Sequence, residues 1–450
     1  MSVPGRSQLE DPDRLFAAMR AARVGGAFWA TDDPWGAELS ALDEAAIIRW
    51  IDDPLHAPDR REAAIAAIKG ASYRDPFTGA PTDAHGVVTI LANWRLQFDA
   101  NRRIKAAVGM AAWKRDAIGQ FLWDGRERPR FISAEAALAK ADGRAVAYWP
   151  SRSPADFGSR AAAGKVPAWQ VEDGFLRSAG LGAECRPPMS IIVDRSGGIY
   201  FDPSAPSELE TLLATYDFDD ALLTRAARLR ERIVAARLGK YGVDAEVPAP
   251  DLPAGARVVL VVGQVEDDLS VVRGGDRRGT TGFLARVRAA EPDAFIVYRP
   301  HPDVVAGLRK GDLNGEGAAD LVVTGGSLLS LIERADAVHV LSSLTGFEAL
   351  LRDKKVTVHG LPFYAGWGLT QDLARVPERR GRKLSLDALV AGALILAPRY
   401  RDPVTKLPCP PEVLVERLAD AAPATPTLLT SFRKAMGATR RTLRRLEPQA

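Results

Sequence analysis

Four short stretches of the chain group residue types that do chemistry together. The first, Gly263-Gln-Val-Glu-Asp-Asp268, sets Gln264 and Asp268 just past a β-branched run. A carboxylate there can act as base, nucleophile or metal ligand, or can cap the next helix. The second, Arg299-Pro-His-Pro302, carries His301, one of only five histidines in the chain. Such a histidine can donate to a phosphate or to a leaving oxygen, with Pro302 fixing the backbone behind it; it can equally be a surface turn. The third, Ser342-Ser-Leu-Thr-Gly-Phe-Glu348, opens a helix with Ser342, Ser343, Thr345 and Gly346 and places Glu348 one turn in. Hydroxyls and free N–H groups at a helix start can cradle a phosphate, and the same residues make a routine N-cap. The fourth, Glu172-Asp-Gly-Phe-Leu-Arg-Ser178, joins two carboxylates to Gly174, Arg177 and Ser178. Either Glu172 or Asp173 could take the proton of an attacking hydroxyl, or one could simply pair with Arg177.

The elements that must position these stretches alternate. In the second half, strand-like runs at 256–262, 294–298, 320–323, 337–341 and 356–359 are interleaved with helical spacing at 281–290, 328–334 and 345–351. This pattern predicts a parallel, doubly wound sheet whose ligands bind beyond the carboxyl ends of the strands. The middle of the chain repeats the rhythm with strands at 104–108, 145–149 and 168–171 and helices at 112–122 and 159–163. Two further strands are expected at 190–194 and 199–202, separated by a turn. Two α/β lobes facing a cleft form the GT-B arrangement of many nucleotide-sugar enzymes. The expected organisation is a helical N-terminal extension (1–99), an acceptor-side Rossmann-like lobe (100–250), a nucleotide-sugar lobe (251–370), a helical return segment (371–425) and a basic tail (426–450).

Tyr73-Arg-Asp-Pro-Phe-Thr recurs as Tyr400-Arg-Asp-Pro-Val-Thr, and the same offset maps Pro81 onto Pro408 and Val88 onto Val415. The segment before residue 95 therefore reads as the tail of one module ahead of a complete second one. Two other patterns are decoys. Asp217-Phe-Asp219 looks like a metal-binding DxD but precedes a strongly helical stretch, which suits a cap. The glycine pairs at 274–275 and 325–326 make no dinucleotide fingerprint.

The chain has 450 residues, 46% hydrophobic and 26% charged, with a net charge of +3. That size suits two lobes, and the charge is too small to argue for a nucleic-acid binder. Cys185 and Cys409 are far apart, which fits a reducing compartment, and no His/Cys/Asp group has zinc spacing. No apolar run follows a basic start, and the longest apolar stretch, 388–397, is too short to span a bilayer. A cytoplasmic protein is expected, with the basic residues of 431–445 available to anionic lipid.

Together the motifs resemble the capsule-synthesis β-Kdo transferases (KpsC-like). The first lobe contributes residues 172–178, Pro-Pro-Met-Ser-Ile-Ile-Val-Asp at 187–194 and Gly-Ile-Tyr-Phe-Asp at 198–202. The second contributes Gln264 and Asp268, residues 299–303 and 341–350, and His359-Gly-Leu-Pro-Phe-Tyr-Ala-Gly-Trp-Gly368. The resemblance spans residues 100–420. It implies a GT-B fold and transfer of Kdo from CMP-β-Kdo with retention, using no metal or other cofactor. Asp268 would be the nucleophile. His301, Ser343 and Thr345 would hold the CMP phosphate, alongside Gln264, Arg299, Pro302, Ser342 and Gly346, and Glu348 would reach the ribose. Glu172 or Asp173 would serve the acceptor hydroxyl, with Gly174, Arg177 and Ser178 around it. The acceptor implied is a lipid-linked Kdo or polysaccharide at the inner membrane. Members of this family often carry two modules in one chain; the single complete module here points to a second, cooperating transferase as a partner. The glutamine–aspartate and His-Pro motifs are also similar to those of some bacterial sialyltransferases, so another CMP-activated acidic sugar is the alternative donor. A non-catalytic glycan- or lipid-binding module is the alternative in kind.

Overall fold

The computed structural model describes residues 12–24 and 62–421, except 63–64, 67, 71, 140–141, 179–185, 245–246, 248–249, 276–281, 308 and 314–316. The basic stretch 431–445, Cys185 and residues 276–281 lie outside the described residues.

The second half forms a six-stranded sheet in which every pairing is parallel. Its spatial order is Leu321–Val322, Phe295–Arg299, Val258–Val262, Ala337–Val340, Lys355–Val358, Gln371–Asp372. In chain order this is third, second, first, fourth, fifth, sixth, the order of doubly wound dinucleotide folds. All five residues of Val258–Val262 are buried, as a central strand covered on both faces requires. The order reverses between Val258–Val262 and Ala337–Val340. A crevice therefore opens at their carboxyl ends, where Gln264 and Ser342 lie.

The first half forms a seven-stranded sheet ordered Pro408–Cys409, Arg399–Arg401, Ser190–Asp194, Ala168–Asp173, Ala145–Tyr148, Ile104–Val108, Arg130–Phe131. The last four strands in that order run parallel, and Ser190–Asp194 pairs antiparallel with Ala168–Asp173. This sheet is therefore mixed. The strand expected at 199–202 is a single bridge between Ile199 and Asp202. Pro203 and Pro206 stop the run before a ladder can form.

The segment after residue 370 serves both sheets. Gln371–Asp372 completes the parallel sheet, whereas Arg399–Arg401 and Pro408–Cys409 add the edge of the mixed one. Between them, Leu386–Val390 is α-helical and Ala391–Leu396 winds as a π-helix. This is the longest apolar stretch, and residues 388 to 394 are buried in the core. Among the described residues no helix is long and apolar enough to cross a membrane.

The internal repeat is structural. Tyr73–Arg74 pairs with Pro81–Thr82, and the helix Ala84–Arg102 follows; Tyr400 and Arg401 pair with Cys409 and Pro408, and the helix Pro411–Ala419 follows. In each copy the aspartate collects the turn. Asp75 accepts from the N–H of Phe77 and Thr78, and Asp402 from the N–H of Val404 and Thr405. Gly79 and Lys406, at equivalent places, both have positive φ, 71° and 66°.

One hydrophobic cluster runs through both sheets. It includes Phe175 and Ile192 of the first half and Val258, Leu260, Val262, Phe347 and Phe363 of the second. Phe175 stacks on Phe363 at 4.2 Å between ring centroids, so the fourth motif is packed directly against the second half.

Candidate functional site

The four motifs all fall at carboxyl ends of parallel strands. Gln264 is buried and spans the crevice. Its Nε2 donates to Ser342 Oγ at 3.1 Å, and its Oε1 accepts the Ser342 N–H at 2.9 Å. Ser342 Oγ in turn donates to the Ser270 carbonyl at 2.7 Å. Gln264 and Ser342 thus lock the first loop to the third.

Asp268 caps the helix Leu269–Gly274 through Oδ1, which accepts from Ser270 N–H at 2.9 Å and Ser270 Oγ at 2.7 Å. The carboxylate is exposed. Capping therefore engages Oδ1 and orients the group.

His301 caps the short helix Pro302–Val305, with Nδ1 accepting the Asp303 N–H at 3.1 Å. A neutral ring bonded in this way carries its proton on Nε2. Burial lowers the pKa of His301 below its usual value, with Asp303 opposing. The residue is therefore a neutral N–H donor near pH 7.

Ser343 Oγ accepts the Thr345 N–H and meets Thr345 Oγ1, both at 3.2 Å. The Tyr364 hydroxyl donates to the Ser343 carbonyl. A Cβ on Gly346 would lie 2.3 Å from the Tyr364 oxygen, so only glycine lets this turn close on the tyrosine. Arg299 spends its guanidinium on the carbonyls of Val323, Gly325 and Gly326, which orders the loop beside the crevice. Glu348 is buried and accepts the Lys240 N–H at 2.8 Å. Burial raises its pKa.

On the mixed sheet, Glu172 and Asp173 end the strand Ala168–Asp173 and diverge in environment. Lys114 Nζ reaches both Asp173 oxygens at 3.0 Å, and Arg177 Nε donates to Asp173 Oδ2 at 2.7 Å. Burial pushes Asp173 up, but the two cations and their hydrogen bonds outweigh it and hold its carboxyl below the usual range. Among the described residues Glu172 has no such cationic partner at ion-pair distance. Burial and the adjacent Asp173 charge push it from its ordinary value of 4.5 to about 7, with Lys114 opposing. The Asp268 charge, from the other half of the chain, adds a last and smallest contribution in the same direction. Arg177 also donates to Ser178 Oγ at 2.8 Å. A Cβ on Gly174 would sit 2.3 Å from Ser190 Oγ, so glycine lets the antiparallel strand pass.

Other loops also meet, one pair of them across the two halves. Arg273 pairs with Asp202 at 2.8 Å. Arg177 N–H donates to the Lys240 carbonyl at 3.0 Å, and Tyr200 donates its hydroxyl to the Asp173 carbonyl at 3.2 Å. Lys114 and Lys240 lie outside the motifs singled out in the sequence, and Tyr200 falls inside the 198–202 motif, which gave it no role. Lys114 follows the first parallel strand of its sheet, a place where the carboxyl-end rule could have found it. Lys240 lies on a short hairpin with no periodic signal. Asp219 caps the helix Asp220–Ala235, as the decoy reading expected. Among the described residues no group of three or more His, Cys, Asp or Glu side chains is placed to hold a metal ion.

This arrangement offers an exposed carboxylate, a protonatable carboxyl within its electrostatic reach, a neutral imidazole donor and a hydroxyl-bearing turn. That set suits displacement at a carbon bearing a phosphate leaving group.

Residues 144–243 and 217–400 match the family described as capsule polysaccharide biosynthesis protein. The lipopolysaccharide-processing protein LpsZ of Rhizobium meliloti is 43% identical over 304 residues, 65% of this chain and 69% of that protein. The capsule polysaccharide modification protein LipA of Neisseria meningitidis is 39% identical over 352 residues, 76% of this chain; the match spans 49% of LipA, about half its length. The solved KpsC of Thermosulfurimonas dismutans aligns as its β-Kdo 2,4 transferase with a TM-score of 0.62 and 31% identity, and as its β-Kdo 2,7 transferase with 0.56 and 33%. Each alignment covers 70% of this chain and 98% of the solved one. On these matches, the chain belongs to the capsule polysaccharide biosynthesis protein family.

Proposed function

We propose that the chain is a retaining glycosyltransferase that moves Kdo from CMP-β-Kdo to a Kdo-terminated, lipid-linked acceptor in surface polysaccharide synthesis. The observation that carries this reading is an exposed, helix-capping Asp268 whose charge acts on half-buried Glu172 from the other sheet. Similarity to structures named as β-Kdo transferases supports the sugar. The two linkages named for those structures align almost equally well, so no linkage is assigned.

In the proposed reaction Asp268 Oδ2 attacks the anomeric carbon. The bond from that carbon to the phosphate oxygen breaks, and CMP leaves with its electron pair. The acceptor hydroxyl then attacks the same carbon, the ester to Asp268 breaks and regenerates the carboxylate, and the hydroxyl proton passes to Glu172. Two inversions give net retention. His301 donates Nε2–H to the phosphate, and the 343–345 turn offers it hydroxyls. These groups can carry the leaving charge without a resident metal. In this reading the two sheets are the lobes of a GT-B enzyme, acceptor side 100–250 and donor side 251–370. It works in the cytoplasm, against the inner membrane, with a second Kdo transferase as partner.

The test is CMP release from CMP-Kdo with and without a synthetic Kdo-lipid acceptor, alongside Asp268→Asn and an EDTA arm. Wild type is expected to turn over with EDTA present, and the variant to lose at least about a hundredfold. Unchanged release by Asp268→Asn removes it as nucleophile. Faster turnover of CMP-sialic acid removes Kdo, and CMP binding without turnover of either donor removes catalysis.

A further inference from the structure

The donor proposed above carries two anionic groups, the sugar carboxylate and the phosphate. The cations near Asp268 and Glu172 are largely spoken for. Lys114 and Arg177 are bound to Asp173. Arg273 is paired with Asp202, Arg309 with Asp267, and Arg299 is held by loop carbonyls. Lys240 differs. It occupies the connection of the hairpin formed by Leu238–Gly239 and Gly242–Val243, between the two sheets in chain order. Its ammonium has no carboxylate at ion-pair distance among the described residues, and its ring contact is Tyr241, 5.5 Å to the centroid.

The backbone of Lys240 is gripped from both halves. Its N–H goes to Glu348 Oε1 at 2.8 Å, and its carbonyl accepts the Arg177 N–H at 3.0 Å. Neighbouring Gly239 is equally constrained, since a Cβ there would lie 2.9 Å from the same Glu348 oxygen. Lys240 is thus fixed between the fourth motif and the third. Its pKa is raised, first by Tyr241 against burial, and then by Asp173 and Asp268; Lys240 in turn lowers that of His301. One half-buried ammonium therefore lies in the common field of the acidic strand end, the exposed carboxylate and the imidazole.

We propose that Lys240 is a donor-binding residue whose ammonium takes an anionic oxygen of the nucleotide-activated sugar, and so selects acidic donors. The proposal rests on the transferase reading above. Because the anchoring bonds of Lys240 are main-chain bonds, replacing its side chain leaves the hairpin held at both ends. A charge-assisted hydrogen bond of this kind corresponds to about a 10- to 100-fold change in affinity.

The experiment compares wild type, Lys240→Met and Lys240→Arg. It reads KM and kcat for CMP release from CMP-Kdo, and calorimetric affinity for CMP alone. The expected result is a KM raised about 10- to 100-fold in Lys240→Met, partly restored in Lys240→Arg, with unchanged melting temperature. Unchanged CMP affinity assigns the contact to the sugar carboxylate; a parallel loss of CMP affinity assigns it to the phosphate. Active wild type with an unaltered KM in Lys240→Met overturns the Lys240 assignment alone. Wild type inert toward CMP-Kdo overturns the transferase reading, and the Lys240 assignment with it.

Discussion

Asp173 holds two cations and Glu172, among the described residues, holds none, and this difference separates the pair. A carboxylate fixed by Lys114 and Arg177 stays ionised and serves as a structural counter-charge. A carboxyl raised to about 7 can accept a proton and release it near neutrality. In the proposed role of base for the acceptor, Glu172 works when ionised, so acceptor-dependent transfer is expected to rise with pH and level off above about 7. Glu172→Gln is expected to lose about a hundredfold or more in transfer and to flatten that limb. A wild-type profile flat from pH 5 to 8 speaks against this role. Stability runs the other way. The unfolded chain ionises Glu172 from its ordinary value of 4.5, whereas the folded protein holds the proton until about 7. Wild type therefore loses stability as pH rises across that window, and the full cost stands above it. Glu172→Gln should melt higher than wild type at pH 8 and alike at pH 4, measured by thermal unfolding in matched buffers.

At the scale of elements, the third motif is a turn closed on a buried ring. Tyr364 is fully buried, its hydroxyl holds the Ser343 carbonyl, and Gly346 leaves the room it needs. Gly346→Ala is expected to destabilise the fold by about 1–3 kcal/mol and to raise the donor KM, because the methyl group displaces a rigid ring. Adding Tyr364→Phe removes the nearest atom of the clash, so the double variant should recover part of the melting temperature. A double variant that loses the sum of the two single losses would show that the ring is not the obstacle. The capping residues work similarly. Asp268 and His301 each begin a helix and spend one polar atom on its cap, which leaves the other for the proposed chemistry.

At the scale of the whole molecule, the repeat copies are not equivalent in what they cover. Phe77 is 6% exposed within the large core, while its counterpart Val404 is 65% exposed. The first copy lies against the second. Arg417 Nη2 donates to the Phe77 carbonyl at 2.6 Å, and Trp94 Nε1 to the Pro408 carbonyl at 2.7 Å. The helix Ala84–Arg102 further sends Asn101 to the carbonyls of Phe121 and Trp123, and Arg399 to Asn101. The segment that reads as a leftover tail is therefore part of the mixed sheet's support. Phe77→Ala is expected to cost about 3–5 kcal/mol and to lower one shared thermal transition. An unchanged transition would mean that the first copy docks without stabilising the rest.

Much of this protein is set by local pattern. The runs at 104–108 and 190–194 became strands with those bounds, and 328–334 a helix with those bounds, because β-branched density and helical spacing are local properties. The repeated turn was legible because one aspartate collects its own next residues. The alternation of strand and helix also made the carboxyl-end loops the natural place for the four motifs. Pairing across the chain was decided only by tertiary structure. Lys114 meets Asp173 across 59 positions, and Lys240 meets Glu348 across 108. The reversal of Ser190–Asp194 and the return of Arg399–Arg401 to the first sheet are settled by which edge remains free to pair. Neither periodicity nor motif encodes those choices, since the energy that fixes them comes from burial and charge supplied by distant elements. Thus Glu172 and Asp173, neighbours of nearly the same chemistry in the sequence, acquire different protonation only where the folded chain brings two cations to one of them.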